Sequence, residues 1–117
     1  MAIRVLIADD HGVVVEGLRF VVEAQPDMEV IATVQDSREA VRRSMEESPD
    51  VVLIDRSMPV LNGTEATRLI RERSPAIHVI ILSMHSNRVH VLRALQAGAT
   101  GYVVKKSAAK EVVDAIR

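Results

Sequence analysis

Five short apolar runs alternate with five stretches of helical periodicity along the 117-residue chain, and this alternation constrains the fold more than any other feature. Ile3–Ala8 reads as a strand. Val14, Leu18, Val21 and Val22 then recur at helical spacing until Pro26-Asp27 breaks the pattern. Glu29–Val34 is a second strand. Asp36-Ser37 caps a helix with Ala40, Val41, Ser44 and Met45 on its inner face, and Ser48-Pro49-Asp50 ends it. Val51–Ile54 is the third strand. After a turn at Pro59, Ala66, Leu69 and Ile70 mark a helix that Ser74-Pro75 stops. Ile77–Leu82 is the fourth strand. Val91, Leu92 and Leu95 mark the fourth helix, with Gly98 as its stop. Tyr102–Val104 is the fifth strand, and Val112, Val113 and Ile116 belong to a fifth helix. Unalternating apolar strands between helices predict an α/β fold, a parallel five-stranded sheet covered on both faces. Right-handed crossovers make it doubly wound, with its functional crevice beyond the carboxyl ends of the strands.

The length suits one domain, and 48% hydrophobic residues suffice for a core. With no cysteine, thiolate chemistry, disulfides and cysteine-zinc sites are excluded. A net charge of −1 does not make a basic nucleic-acid surface, so direct DNA binding by these residues is not expected. No apolar run approaches the ~20 residues of a membrane span. Met1-Ala2-Ile3-Arg4 leads straight into a strand, without the layout of a signal peptide. A cytoplasmic location is expected.

The residues that follow the apolar runs carry the chemistry. The first run ends in Asp9-Asp10, the third in Asp55, the fourth in Ser83 and the fifth in Lys105. Singly, each has a plain reading: the acid pair as a helix cap, Asp55 as a turn residue, Ser83 as a helix-entry cap, Lys105 as a solvated strand end. Together they bring three carboxylates, a hydroxyl and an ammonium to one sheet edge. Clustered carboxylates without thiols or a histidine pair suit Mg²⁺, which takes oxygen ligands and keeps several waters. A carboxylate beside Mg²⁺ and a fixed cation is also placed to attack a phosphoryl group. His11, His78, His85 and His90 lack metal-ligand spacing and read as structural or surface residues.

The segments "LIADDHGVVVEGLR", "VVLIDRSMPVLNG", "VIILSMH" and "ALQAGATGYVVKKS" resemble, in order and spacing, the receiver (CheY-like) domain of two-component response regulators. "DDH" and "AGATGYVVKKS" are most similar to the LuxR/NarL branch. The resemblance implies a flavodoxin-like sheet in the order 2-1-3-4-5. It implies that Asp55 is the phosphoacceptor, and that Asp9, Asp10, Asp55 and the Ser57 carbonyl hold Mg²⁺. Ser83 and Lys105 would contact the phosphoryl group, and Tyr102 would be the switch aromatic. The other aromatic, Phe20, is expected in the core. Lys106 stands where many receivers have proline, "PVLNG" replaces the commoner "PGMNG", and Arg56 replaces an apolar residue. Strand alternation should turn Arg56 away from Asp55.

The implied partner is a sensor histidine kinase that phosphorylates Asp55, with homodimerisation left open. The implied role is a signalling domain that assists its own phosphorylation and dephosphorylation and controls transcription. No helix C-cap residue follows Ile116, which with the resemblance implies a DNA-binding helix-turn-helix domain beyond Arg117. Two other readings fail on residues. A haloacid-dehalogenase-type phosphatase wants an aspartate at position 57, which is serine, and "ADDHGVVVEG" lacks the GxGxxG of a dinucleotide fold. The competing reading is a receiver-like interaction module that works without phosphorylation. The intact acidic pair, acceptor, hydroxyl and lysine weigh against it.

Overall fold

A computed structural model describes residues 2–58, 62–84, 88–105 and 108–116, without the side chains of 108–110. The turn at Pro59, His85 and Lys106 lie outside the described residues. The strands are β1 (Ile3–Ala8), β2 (Met28–Val34), β3 (Val51–Asp55), β4 (His78–Ser83) and β5 (Gly101–Val104). Between and after them come α1 (Gly12–Glu23), α2 (Ser37–Glu47), α3 (Gly63–Arg73), α4 (Arg88–Gln96) and α5 (Ala108–Ile116). All strand pairs are parallel, in the order β2-β1-β3-β4-β5. The alternation expected from the sequence is therefore the one observed.

Period-two alternation divides the apolar side chains between two layers. Val5, Ile7, Val51, Leu53, Ile80, Leu82 and Val103 pack with α1 and α5, through Val15, Leu18, Val22, Val112, Val113 and Ile116. Leu6, Ala8, Val52, Ile54, Val79 and Ile81 pack with α2, α3 and α4, through Ala40, Val41, Ala66, Ile70 and Ala94. Every residue of β3 is buried, including the terminal Asp55. A strand covered on both faces has no polar alternation to show, as its sequence indicated.

Two helix faces differ from expectation. Phe20 is 78% exposed. It lies two residues, about 200°, around α1 from buried Leu18, so it points to solvent while Val15, Leu18 and Val22 point in. On α4 only Ala94 is buried, and Leu92 and Leu95 are half exposed. The small residue lets this short helix lie close, and its larger apolar residues face outward.

α2 and α3 begin alike. Asp36 and Asn62 cap them by accepting from the backbone N–H of Glu39 and Glu65. Those glutamates pair with Arg42 and Arg68, which pair in turn with Glu46 and Glu72 one turn on. The arginine hydrogen bonds hold the Glu39 and Glu65 carboxyls below their usual value. α4 stops at Gly98, whose φ of +102° suits glycine alone.

At the amino-terminal edge of the sheet, Arg4 Nη1 donates to the carbonyls of Glu47 and Ser48 (2.8 and 3.1 Å), and its backbone N–H donates to Asp50 Oδ2 (2.8 Å). A guanidinium thereby satisfies the last carbonyls of α2 and opposes the negative end of its dipole. Ser48 ends that helix at φ 46°, ψ 60°, in the left-handed region. A non-glycine residue there is strained by roughly 1 kcal/mol. Ser48→Gly should raise stability by about that amount, read as a higher urea midpoint with an unchanged slope.

Candidate functional site

β1 and β3 leave the sheet by the same local device. Asp9 Oδ1 accepts from the backbone N–H of His11 (2.8 Å), and Asp55 Oδ1 accepts from that of Ser57 (3.2 Å). Both are side chain-to-backbone turns two residues long. The plain reading of Asp55 as a turn residue therefore holds, and Asp9 makes the same kind of turn rather than a cap on α1. Each turn occupies one oxygen. The remaining ones, Asp9 Oδ2 and Asp55 Oδ2, are buried without a hydrogen-bond partner.

Lys105, just beyond β5, supplies the charge that keeps this tolerable. Its Nζ lies 2.9 Å from Asp9 Oδ2 and 3.4 Å from Asp55 Oδ1, with its side chain 8% exposed. The contact with Asp9 is an ion pair at close range rather than an aligned hydrogen bond. Asp10 is more exposed, and His11 bridges it to the others. His11 Nδ1 lies 3.0 Å from Asp9 Oδ1, 3.2 Å from Asp10 Oδ1 and 3.7 Å from Asp55 Oδ2. One ligand atom from each of Asp9, Asp10, His11 and Asp55 falls within a 4.8 Å cluster. Sequence reasoning set His11 aside with the other histidines because it looked for paired histidines at helical spacing. The signal was adjacency: a strand that turns into a helix within three residues folds "DDH" back on itself.

Among the described residues, three carboxylates against one ammonium leave a formal charge of −2. The buried orphan oxygens and the all-oxygen acidic donors fit a hard divalent cation such as Mg²⁺. Ser57 lies in the turn after β3, beside the same edge.

Ser83 and Tyr102 lie on the other layer. Strand parity puts Asp55 and Lys105 with the α1/α5 side chains, and puts Arg56, Ser83 and Tyr102 with those of α3 and α4. Arg56 is turned away from Asp55, as alternation predicts, and meets Ser83: its Nε donates to Ser83 Oγ at 3.4 Å. Arg56 also lines a cleft of about 260 Å³ with Asn62, Thr64, Glu65, His90 and Arg93. Ser83 is buried, and Tyr102 is half-buried against the α3/α4 core.

Gly63, the first residue of α3, rests on the backbone at the end of β3. A Cβ there would collide with the Asp55 carbonyl oxygen and come within 2.8 Å of Arg56 Cα. The glycine is needed for this close approach. Removing charges at the site should change stability in opposite directions. Asp55→Asn relieves repulsion among crowded carboxylates and should gain about 1 kcal/mol. Lys105→Ala leaves two buried carboxylates unpaired and should lose about 3 kcal/mol. Urea unfolding in the presence of a chelator measures both.

The response regulator receiver domain family matches residues 5–117. The chain is 44% identical over 115 residues to the transcriptional regulatory protein LiaR of Bacillus subtilis, covering 98% of this chain and 54% of that protein. Among solved structures it is similar to a LuxR-family two-component response regulator from Aurantimonas sp. SI85-9A1. That match has a TM-score of 0.94 and 40% identity, over 99% of this chain and 83% of that one. The response regulator domain of Thermotoga maritima CheB matches with a TM-score of 0.92 and 32% identity, over 100% and 95% of the two chains. The chain spans about half the length of the curated relatives it matches. The match across nearly every residue, on a sheet edge built this way, means that the chain belongs to the response-regulator receiver domain family, in its LuxR/NarL branch.

Proposed function

We propose that this domain is a phosphorylation-controlled switch in a two-component system, with Asp55 as the only phosphoacceptor. The observation that carries the reading is the buried Asp55 at the end of β3, 3.4 Å from Lys105 and clustered with Asp9 and Asp10. The donor is a phosphohistidine of a sensor histidine kinase. A carboxylate oxygen of Asp55 forms the O–P bond as the donor's P–N bond breaks, and the electron pair leaves with the donor imidazole.

Asp9, Asp10, Asp55 and the Ser57 carbonyl would hold Mg²⁺, which when bound neutralises charge on the phosphoryl oxygens. Lys105 offers a fixed ammonium to the transferred charge and suffers no solvent reorganisation. The phosphoryl group adds about −1.5 to −2 of charge and new acceptor oxygens at the sheet edge. Ser83 turns its hydroxyl toward them, and Tyr102 follows into the space beside α4. The surface of α4, β5 and α5 changes shape as a result. The same groups assist hydrolysis of the acyl phosphate, so the domain signals rather than turns over a substrate.

The transcriptional regulators it resembles are about twice as long as this chain. We take the output to be DNA binding by a C-terminal helix-turn-helix domain, in a cytoplasmic protein, with a second receiver copy as a partner to test. Among the described residues, no helix is long and apolar enough to cross a membrane.

Intact mass after incubation with Mg²⁺ and acetyl phosphate tests the core of this reading. One phosphoryl group should appear on the wild type, and none on Asp55→Asn. Undiminished uptake by Asp55→Asn would overturn the acceptor assignment. A wild type that never gains mass would favour the phosphorylation-independent interaction module. Asp10→Ala, and wild type in excess chelator, should each lose nearly all uptake with Asp55 intact, and full-rate uptake in chelator would remove the metal from the mechanism.

A further inference from the structure

The His11 imidazole has no place in the chemistry above. Its ring does not cap α1, because although His11 is the N-cap residue it makes no side-chain capping hydrogen bond. Its side chain is 61% exposed, yet its Nδ1 is turned inward, onto oxygens of all three aspartates. One of these, Asp55 Oδ2, and the second oxygen of Asp9, Oδ2, are buried and lack hydrogen-bond partners.

The spacing matches a shared metal ion. Neighbouring ligands of an octahedral ion with bonds of about 2.1 Å lie roughly 3.0 Å apart. His11 Nδ1 is 3.0 Å from Asp9 Oδ1 and 3.2 Å from Asp10 Oδ1. Asp55 Oδ2, at 3.7 Å, is within a small side-chain adjustment of the same arrangement. The neutral ring with its proton on Nε2 presents the Nδ1 lone pair to that point. The ring also arrives from the solvent side, where a metal held by few protein ligands keeps its waters.

We propose that His11 is a nitrogen donor to the cation at this site, replacing one water, and that it biases the site toward Mn²⁺ and Co²⁺ over Mg²⁺. The inference rests on the reading of Asp9, Asp10 and Asp55 as a cation site. Mg²⁺ gains little from exchanging a water for imidazole. Mn²⁺ and, more strongly, Co²⁺ gain a good ligand, in the order that first-row ions follow at nitrogen-containing sites. The Asp9, Asp10 and Asp55 oxygens remain sufficient for Mg²⁺, so His11 sets preference rather than competence.

Calorimetric titration of Mg²⁺, Mn²⁺ and Co²⁺ into wild type, His11→Ala and Asp10→Ala tests this, with the visible absorption of bound Co²⁺ as a second readout. The His11 side chain is exposed and makes no capping hydrogen bond, so His11→Ala keeps the fold. In that variant the Co²⁺-to-Mg²⁺ affinity ratio should fall by roughly tenfold. The Co²⁺ spectrum should shift as an oxygen donor replaces nitrogen, and Mg²⁺ affinity should change little. An unchanged ratio and spectrum, with metal binding still lost in Asp10→Ala, would overturn the role of His11 and leave the acidic site standing. Wild type that binds none of the three ions would overturn both.

Discussion

One ammonium group makes the functional edge of this sheet possible. Asp9 and Asp55 are withdrawn from water at the ends of adjacent central strands, where an uncompensated carboxylate is costly. Lys105 reaches both. It comes from the far end of the chain, so the first strand, the third strand and the segment after the fifth must all be in place before the edge is electrically tolerable. Among the described residues the pairing is incomplete: one ammonium faces three carboxylates. The surplus makes the edge receptive to a divalent ion and leaves a region of crowded negative charge there. Crowded like charges of this kind cost folding stability.

Strand alternation then decides which groups can act on Asp55 directly. Asp9, Asp55 and Lys105 share one layer, and Arg56, Ser83 and Tyr102 share the other. Asp55 and Arg56 are consecutive, so a single peptide unit separates the acidic cluster from the arginine that reaches Ser83. The two sets meet only around the strand ends. The apolar layers beneath pack through Leu53 on one side and Ile54 on the other.

The parallel sheet and the residues at its strand ends were legible because such a sheet writes itself as apolar runs, each punctuated by the first residue that must leave it, whereas the strand order came only from the family resemblance. Asp55 showed most clearly, as a charge ending an otherwise unbroken run. Helix faces were less legible. Phe20 looked like core on hydrophobicity alone, but a two-residue step on α1 puts it opposite Leu18. On α4 the buried residue is the small Ala94 and the larger leucines face out, which inverts the usual signal. His11 was hidden for a different reason. Its convergence with Asp9, Asp10 and Asp55 depends on the turn into α1 and on a strand 40-odd residues away in sequence, and no local spacing records that. The Arg56–Ser83 contact was half visible: alternation gave the direction of the arginine but not the residue it meets.

Gly63 gives the edge a mechanical property. With no side chain between the first turn of α3 and the backbone of Asp55 and Arg56, helix and strand touch as two rigid bodies with no compressible layer between them. A joint of this kind has no slack. Any tilt or translation of the β3 terminus passes to the α3 axis at full amplitude, whereas a packed side chain would absorb part of it by changing rotamer. Hydrostatic pressure offers a view of the same fact. Pressure acts on voids, so this joint should be among the last places to yield.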